Sequence, residues 1–420
     1  MGFASTYLEE RVLFPAFLKE APDNHTGIIV VVPAYNEPDI TTLLDSLALC
    51  SKPECGVEII VVVNAPAGAD KSIPENNELT IKSIEEWKRH NKNCFFRLYS
   101  FIADTEPFKG WGVGLARKTG MDEAVRRFDI INNQEGVILC LDADCSVEQN
   151  YFIAICNDLL KIKERSACSI YFEHPLSDAD STNNISKYIT LYELHLRYYL
   201  QGVIYTGFPY GFHTVGSCVA VKATPYIRAG GMNRRQAGED FYFIQKLVPS
   251  GGYFSLNTTT VYPSPRVSSR VPFGTGASIG KLTDENSNTL LTYNLQAFEE
   301  LRIFFGILEK SYNGSPAGLI ERYKLCPAGI KLYITEEEFI DKLLEIKNNT
   351  SGEESFIKRF YGWFNMFRIV KYLNYTHQNH FKKTPVELSA AELLILKGIN
   401  FKSKDPVDLL RQYRLLEKKQ

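Results

Sequence analysis

Gly27-Ile28-Ile29-Val30-Val31-Val32-Pro33-Ala34-Tyr35-Asn36-Glu37 is the stretch on which the fold turns. Ile28 to Val32 are five β-branched residues in succession with no polar alternation. A half-exposed strand would alternate, so this run predicts a strand buried on both faces. Pro33 is expected to end it, because proline has no amide proton to offer a ladder. Just beyond, Ile40, Leu43, Leu44 and Leu47 share one face of a helix.

Working outward, the same alternation repeats. Ile59–Val63 reads as a second buried strand that stops at Asn64, followed by a helical stretch near Leu79–Trp87 and a strand near Phe95–Ile102. A helix over Val113–Phe128 leads to another short buried strand, Val137–Leu141. Strands and helices alternating at this spacing predict an α/β fold, Rossmann-like, with a mostly parallel sheet covered by helices on both faces. Beyond Tyr151, helices near Phe152–Ile162 and Ser186–Tyr199 flank a strand at Cys168–Phe172, and further strands are expected at Cys218–Lys222 and Thr258–Tyr262.

From about Asp284 the signals are helical. Thr335-Glu336-Glu337-Glu338 has the spacing of a reciprocal capping box. Thr384-Pro385 and Asp405-Pro406 each offer a capping residue followed by proline at the first helical position. Upstream, residues 1–26 form an extension with a short amphipathic helix through Leu8, Val12, Leu13 and Phe17. The expected organisation is an extension over 1–26, an α/β domain over 27–280 and a helical C-terminal region over 281–420.

Composition narrows the partners. The 420 residues carry 47 Lys and Arg against 49 Asp and Glu, a formal net charge of −2. No overall positive field draws such a chain onto nucleic acid. The last twenty residues are locally basic, which suits a solvated helix end or a peripheral contact with a membrane surface. No apolar run reaches the roughly 18 to 20 residues that cross a bilayer. Met1 to Glu20 lacks the basic-then-apolar order of a signal peptide. Nine cysteines, an odd number without CxxC spacing, fit a reducing compartment. The expectation is a cytoplasmic protein.

Ligands of open α/β sheets bind beyond the carboxyl ends of the strands. Three strand ends carry suggestive groups: Pro33-Ala34-Tyr35-Asn36-Glu37-Pro38, Asn64, and Asp142-Ala143-Asp144 after the run Val137–Leu141. Two carboxylates one residue apart raise each other's pKa unless a cation neutralises them. Mn²⁺ or Mg²⁺ takes oxygen ligands from one or two carboxylates together with substrate phosphates. Asp142 and Asp144 are therefore candidate ligands for such an ion. A solvated turn is the plainer alternative.

From Gly27 to about Tyr262 the chain resembles the family-2 glycosyltransferases of the GT-A fold. The matching pieces stand in order: Val31-Val32-Pro33-Ala34-Tyr35-Asn36-Glu37, Glu58–Asn64, Lys109-Gly110 with Gly114–Gly120, Asp142-Ala143-Asp144 and Gly238-Glu239-Asp240. The resemblance implies transfer of a sugar from a nucleotide-diphosphate donor to a hydroxyl acceptor. It also implies that Asp142 and Asp144 lie at the ribose and the metal, and that Pro33, Ala34, Tyr35 and Glu37 contact the nucleoside. Asp240 matches the general base of inverting members. Chemistry points the same way, since displacing a diphosphate from an anomeric carbon calls for a base on the opposite face. A plain helix-terminal aspartate is the alternative. Glu239 is then a candidate for acceptor hydroxyls.

The sequence departs from the family where many members end the second strand with two acidic residues; here Val63-Asn64-Ala65 stands instead. Asn64 both donates and accepts, so it does not single out one base; a UDP-sugar is the favoured donor and a GDP-sugar its rival. The usual Arg-Asn pair appears as Arg117-Lys118, with Arg117 either at the donor phosphates or on a solvated helix surface. His213 is a candidate third metal ligand or acceptor contact, or else a hydrogen-bonded structural histidine. Arg266 and Arg270 flank two hydroxyls before Gly274-Thr275-Gly276, a pattern that suits a phosphate or carboxylate and equally an interdomain linker. A metal-dependent nucleotidyltransferase and a non-catalytic nucleotide- or glycan-binding module are the rival functions. The first would carry a glycine-rich basic loop where Pro33 to Glu37 stands.

Overall fold

The computed structural model describes residues 2–65, 70, 72–103, 112–176, 184–234, 238–266, 289–312 and 314–420. The chain forms two compact units, one of Met1–Ala179, Thr214–Gly280 and Glu417–Gln420, the other of Asp180–His213 and Lys281–Leu416.

The first unit is built on an eight-stranded sheet. Its strands are β1 (Thr26–Ala34), β2 (Gly56–Val63), β3 (Phe96–Ile102), β4 (Val137–Cys140), β5 (Ser146–Val147), β6 (Ala167–Phe172), β7 (Val219–Lys222) and β8 (Tyr253–Tyr262). Their order across the sheet is β3-β2-β1-β4-β7-β6-β8-β5. The pairs β3/β2, β2/β1, β1/β4 and β6/β8 are parallel, while β7 lies antiparallel between β4 and β6, and β5 antiparallel to β8. The mostly parallel α/β architecture is the one the alternation predicts. Every residue of β1 is buried, as an aliphatic run without alternation requires.

Pro33 does not end β1. It stands opposite Val62, and the strand continues to Ala34. In a parallel strand alternate residues bond to alternate neighbours. Ala34 O accepts from Asn64 N and Val31 O from Leu141 N, so Pro33 faces the β4 side. The β1–β4 ladder has already ended at Val31–Cys140, and the missing amide interrupts nothing.

Helices α1 (Ser5–Glu10), α2 (Thr41–Ala48), α3 (Ser72–His90), α4 (Val113–Ile130), α5 (Tyr151–Ile155), α6 (Asn184–Tyr205), α7 (Ala223–Arg228) and α8 (Glu239–Leu247) follow in chain order, α6 in the second unit and the rest in the first. The expected helix beyond Phe152 changes character, since α5 runs into a π-helical turn at Cys156–Leu160.

α4 is buried on nearly all sides, charged residues Arg117, Lys118, Asp122, Glu123 and Arg127 included. One side lies so close to the sheet that a Cβ on Gly120 would sit 2.4 Å from a methyl of Val31. Elsewhere the N-terminal extension is strapped along it. Ala4 N donates to Asp129 (2.7 Å), Tyr7 OH to Asp122 (2.7 Å), and Phe17 N and Leu18 N to Glu123 (3.3 and 3.2 Å). Arg126 and Arg127 donate to the carbonyls of Phe14 and Glu20. Lys118 (2.9 Å) and Tyr226 OH (2.8 Å) complete the shell of Asp122, and Arg127 pairs with Glu58 of β2. The expected helix through Val12, Leu13 and Phe17 stops at Glu10. Beyond it, backbone amides of Phe17 and Leu18 serve the Glu123 carboxylate instead.

The second unit is helical. α6 is joined by helices over Leu295–Glu309, Pro316–Lys324, Ala328–Tyr333, Glu336–Asn348, Glu353–Trp363, Met366–Asn379, Val386–Leu396 and most of Pro406–Lys418. Phe304, Phe305, Phe360, Tyr361, Phe364 and Tyr372 lie in its core. Thr335 receives the amide of Glu338 (3.2 Å), but the Glu338 carboxylate pairs with Arg368, so only half of the capping box forms. Thr384 and Pro385 form a strand, β10, antiparallel to β9 (Leu291–Thr292), rather than the start of a helix. The Thr384 hydroxyl is spent on Ser389 Oγ. Asp405 does cap its helix, accepting from Val407 N and Asp408 N. Among the described residues no helix is long and apolar enough to cross a membrane. None of the nine cysteines is in a disulfide.

Candidate active site

β1, β2 and β4 run parallel, so their carboxyl ends share one edge of the sheet. Ala34 pairs with Val63, and Val31 with Cys140. The segments starting at Tyr35, Asn64 and Leu141 therefore leave side by side. α3 fixes two of them. The Asn77 amide accepts from Asn36 N (3.1 Å) and donates to Asn64 O (3.0 Å), while Asn76 donates to the Asn36 side chain (2.8 Å). Thr80 Oγ1 donates to Glu37 O (3.0 Å). These bonds hold Asn36 in the left-handed region at φ 48°. The sequence reading did not anticipate Asn76, Asn77 or Thr80. Their one signal is a polar cluster early in a helix. Pro33, Ala34, Glu37 and Asn64 are buried, and Tyr35 is half-buried.

Asp142 and Asp144 follow β4, each facing a different arginine. Asp142 Oδ1 lies 2.5 Å from Nη2 of Arg117, whose Nη1 pairs with Glu239. The Arg117 side chain is only 5% exposed, and Glu239, offered by the sequence as an acceptor contact, is 3% exposed with its carboxylate on that guanidinium. The glycine at 216 makes room, since a Cβ there would stand 2.3 Å from Arg117 Nη1. Arg266 takes both oxygens of Glu37 with its terminal nitrogens, one bond measuring 2.9 Å, and its Nε lies 3.0 Å from Asp144 Oδ2.

Asp240 is the second residue of α8, half-buried, with Oδ1 accepting from Phe241 N at 2.7 Å. Burial pushes its carboxyl up to about 6. Glu239 beside it pushes the same way, Arg117 and the Phe241 amide pull it back, and Asp142 adds a smaller upward push. His213, half-buried, closes the first stretch of the second unit. Arg270, Lys109-Gly110 and Gly274-Thr275-Gly276 lie outside the described residues.

Among the described residues no group of three or more His, Cys, Asp and Glu side chains is set to hold a metal ion. Mn²⁺ or Mg²⁺ does not need one when phosphates complete the shell. The Asp142 and Asp144 side chains are 36% and 28% exposed, so both can be approached. The Arg266 Nε facing Asp144 is buried and makes no hydrogen bond, so an ion bound by Asp144 would stand where this guanidinium now provides the counter-charge. The two aspartates therefore fit such an ion.

No family model matches the chain, and no curated protein matches it in sequence. Among solved structures, residues 1–349 of S. aureus TarS in complex with UDP-GlcNAc are 14% identical over 80% of this chain and 91% of that one, with a TM-score of 0.39. A mannosyltransferase from Pyrobaculum calidifontis in complex with GDP-Man and Mn²⁺ is 12% identical over 99% of this chain and 93% of that one, with a TM-score of 0.37. Glucosyl-3-phosphoglycerate synthase from Mycobacterium tuberculosis with Mn²⁺, UDP and glucosyl-3-phosphoglycerate is 14% identical over 55% and 70%, with a TM-score of 0.31. Likenesses at this level leave substrate and chemistry to be argued from the residues of this chain.

Proposed function

We propose that this chain is a glycosyltransferase that moves a sugar from a nucleotide-diphosphate donor to a hydroxyl acceptor with inversion, a UDP-sugar being favoured and a GDP-sugar the alternative. The observation that carries the proposal is the meeting of Asp142 with the Glu239-Asp240 end of α8 through the one guanidinium of Arg117. A carboxylate suited to a cation on a diphosphate thereby lies close to a carboxylate suited to proton abstraction.

In this proposal Pro33, Ala34, Tyr35, Glu37 and Asn64 line the nucleoside end at the edge shared by β1 and β2. Asp142 and Asp144 hold Mn²⁺ or Mg²⁺, which when bound offsets the charge that develops on the departing diphosphate. Asp240 accepts the proton of the acceptor hydroxyl. The acceptor oxygen bonds to the anomeric carbon as the bond from that carbon to the phosphate oxygen breaks, and the diphosphate leaves with the electron pair. A base on the face opposite the leaving group gives an inverted product. An apparent pKa of about 6 keeps Asp240 ionised at neutral pH and makes it a stronger base than an ordinary aspartate.

Asp144→Ala tests the proposal. A donor is first chosen by screening nucleotide sugars with Mn²⁺ for a rise in melting temperature, which bound ligand produces by mass action. The variant is expected to melt like the wild type, to lose transfer, and to lose the Mn²⁺ dependence of donor binding. Normal turnover with Mn²⁺ would remove the metal assignment, and a retained anomeric configuration in the product would remove Asp240 as base.

A further inference from the structure

The buried arginine on α4 has a geometry that a donor-phosphate contact does not explain. Arg117 reaches the site from α4, and both of its terminal nitrogens are engaged: Nη2 on Asp142 just beyond β4, Nη1 on Glu239 in the first turn of α8. Its Nε is buried without a hydrogen-bond partner. A guanidinium so occupied spans two carboxylates from separate elements, which a lysine's single ammonium cannot do with the same planar fork. Glu239 carries almost no exposed surface, and a carboxylate that deeply buried persists in its charged form only when paired. Its partner therefore sets where the α8 terminus sits. Asp240 is the next residue along that terminus. Space for the fork is provided by Gly216, ahead of β7, where even a methyl group would overlap the guanidinium.

We infer that Arg117 is a positioning residue rather than a donor-phosphate ligand: it ties Asp142 to Glu239 and so holds Asp240 at a fixed distance from the metal-binding edge. The inference rests on the glycosyltransferase reading and adds to it a residue that acts on turnover through another. Losing the fork lets the α8 terminus move away from the Asp142 edge. A misplacement of about 1 Å lowers turnover on the order of a hundredfold even when the reacting groups are intact. Donor binding at the nucleoside end is untouched, because neither Arg117 contact reaches the β1 and β2 loops.

The test compares wild type, Arg117→Lys, Glu239→Gln, their double variant and Gly216→Ala as full chains. UDP and GDP binding is measured by calorimetry with Mn²⁺, and kcat and KM are measured with the donor chosen above. Each single variant is expected to keep nucleotide affinity within about threefold while kcat falls at least roughly a hundredfold. The double variant should be no worse than the poorer single, since both remove one link. Gly216→Ala, which keeps every charged group, should reproduce the same split. If Arg117→Lys does not fold, Glu239→Gln and Gly216→Ala still decide the matter. Nucleotide affinity that drops tenfold or more with kcat preserved would make Arg117 a donor ligand and overturn the inference, as would kcat losses that multiply in the double variant. A wild type that neither binds nucleotide nor transfers sugar would remove the glycosyltransferase reading itself, and this inference with it.

Discussion

Arg266 Nε stands 3.0 Å from Asp144 Oδ2 while the rest of the same guanidinium grips Glu37, 229 residues earlier in the chain. The first-strand loop and the Asp142-Ala143-Asp144 turn thus share a cation supplied by the protein. The divalent ion proposed for Asp144 would have to compete with it, because two positive charges a few ångströms apart repel. In Arg266→Met the competitor is gone. Mn²⁺ affinity without nucleotide, followed by electron paramagnetic resonance, is expected to rise several-fold. An unchanged or weaker affinity would mean that Arg266 and the ion do not share Asp144.

As the proposed general base, Asp240 would set the pH dependence. A general base must be ionised, and burial with the neighbouring Glu239 raises its carboxyl to about 6. Activity is therefore expected to rise with pH and level off above that value, with kcat/KM falling tenfold per pH unit below it. Asp240→Asn should remove this limb and lower kcat by about 10²- to 10⁴-fold. A pH profile flat down to pH 4.5 in the wild type would take Asp240 out of the proton transfer.

The same shift has a cost in stability, and its sign is opposite to that of a paired carboxylate. Because the folded-state value lies above the 3.8 of an ordinary aspartate, the folded protein binds this proton more tightly than the unfolded chain. The penalty is absent well below 3.8, grows as pH rises toward about 6, and is complete above it. Asp240→Asn is expected to melt a few degrees higher than wild type at pH 8, for a gain on the order of 1 kcal/mol. That advantage should shrink toward nothing near pH 4. An advantage that persisted unchanged at pH 4 would assign the gain to something other than the charge.

Tyr7 tests the strap. Its hydroxyl donates to Asp122, a buried carboxylate also held by Lys118 and Tyr226. With two partners left, Tyr7→Phe is expected to cost about 1 kcal/mol by urea denaturation. Removing residues 2–20 strips partners from Asp122, Glu123, Arg126, Arg127 and Asp129 together. It should cost several times more. Equal costs for the two changes would mean that the strap contributes little beyond this one bond.

Much of the sheet was legible because its signal is local. Ile28 to Val32 announce two-sided burial without reference to any other part of the chain, and Asp142-Ala143-Asp144 is marked by the strand just before it. β8 was legible only from Thr258, because its first half, from Tyr253, has no clean alternation and is only partly buried. α4 misled for a different reason. Arg117 could pass for a solvated helix residue in sequence, yet it, Asp122, Glu123 and Arg127 all have partners on other elements, beside the Lys118–Asp122 pair within the helix. A single sequence does not say which distant residue answers which charge. The same limit hid the links from Arg117 to Glu239 and from Arg266 to Glu37, whereas each of those residues could be picked out singly. At Thr384 and Glu338 the local capping rules were sound, but partners elsewhere, Thr292 and Arg368, claimed the residues.

The strap on α4 also bears on how the chain is made. Its bonds join residues 105 to 125 positions apart. At roughly 5 to 20 residues per second, the extension leaves the ribosome about 5 to 25 s before the helix it will cover. During that interval Phe14, Phe17 and Tyr7 have no α4 to settle on, and the first two strands emerge without the helix that seals one of their faces. A chaperone that recognises aromatic segments would find the nascent chain most receptive in this window. Synonymous codons that slow translation between β2 and α4 would lengthen it, lowering the yield of folded protein without altering one amino acid.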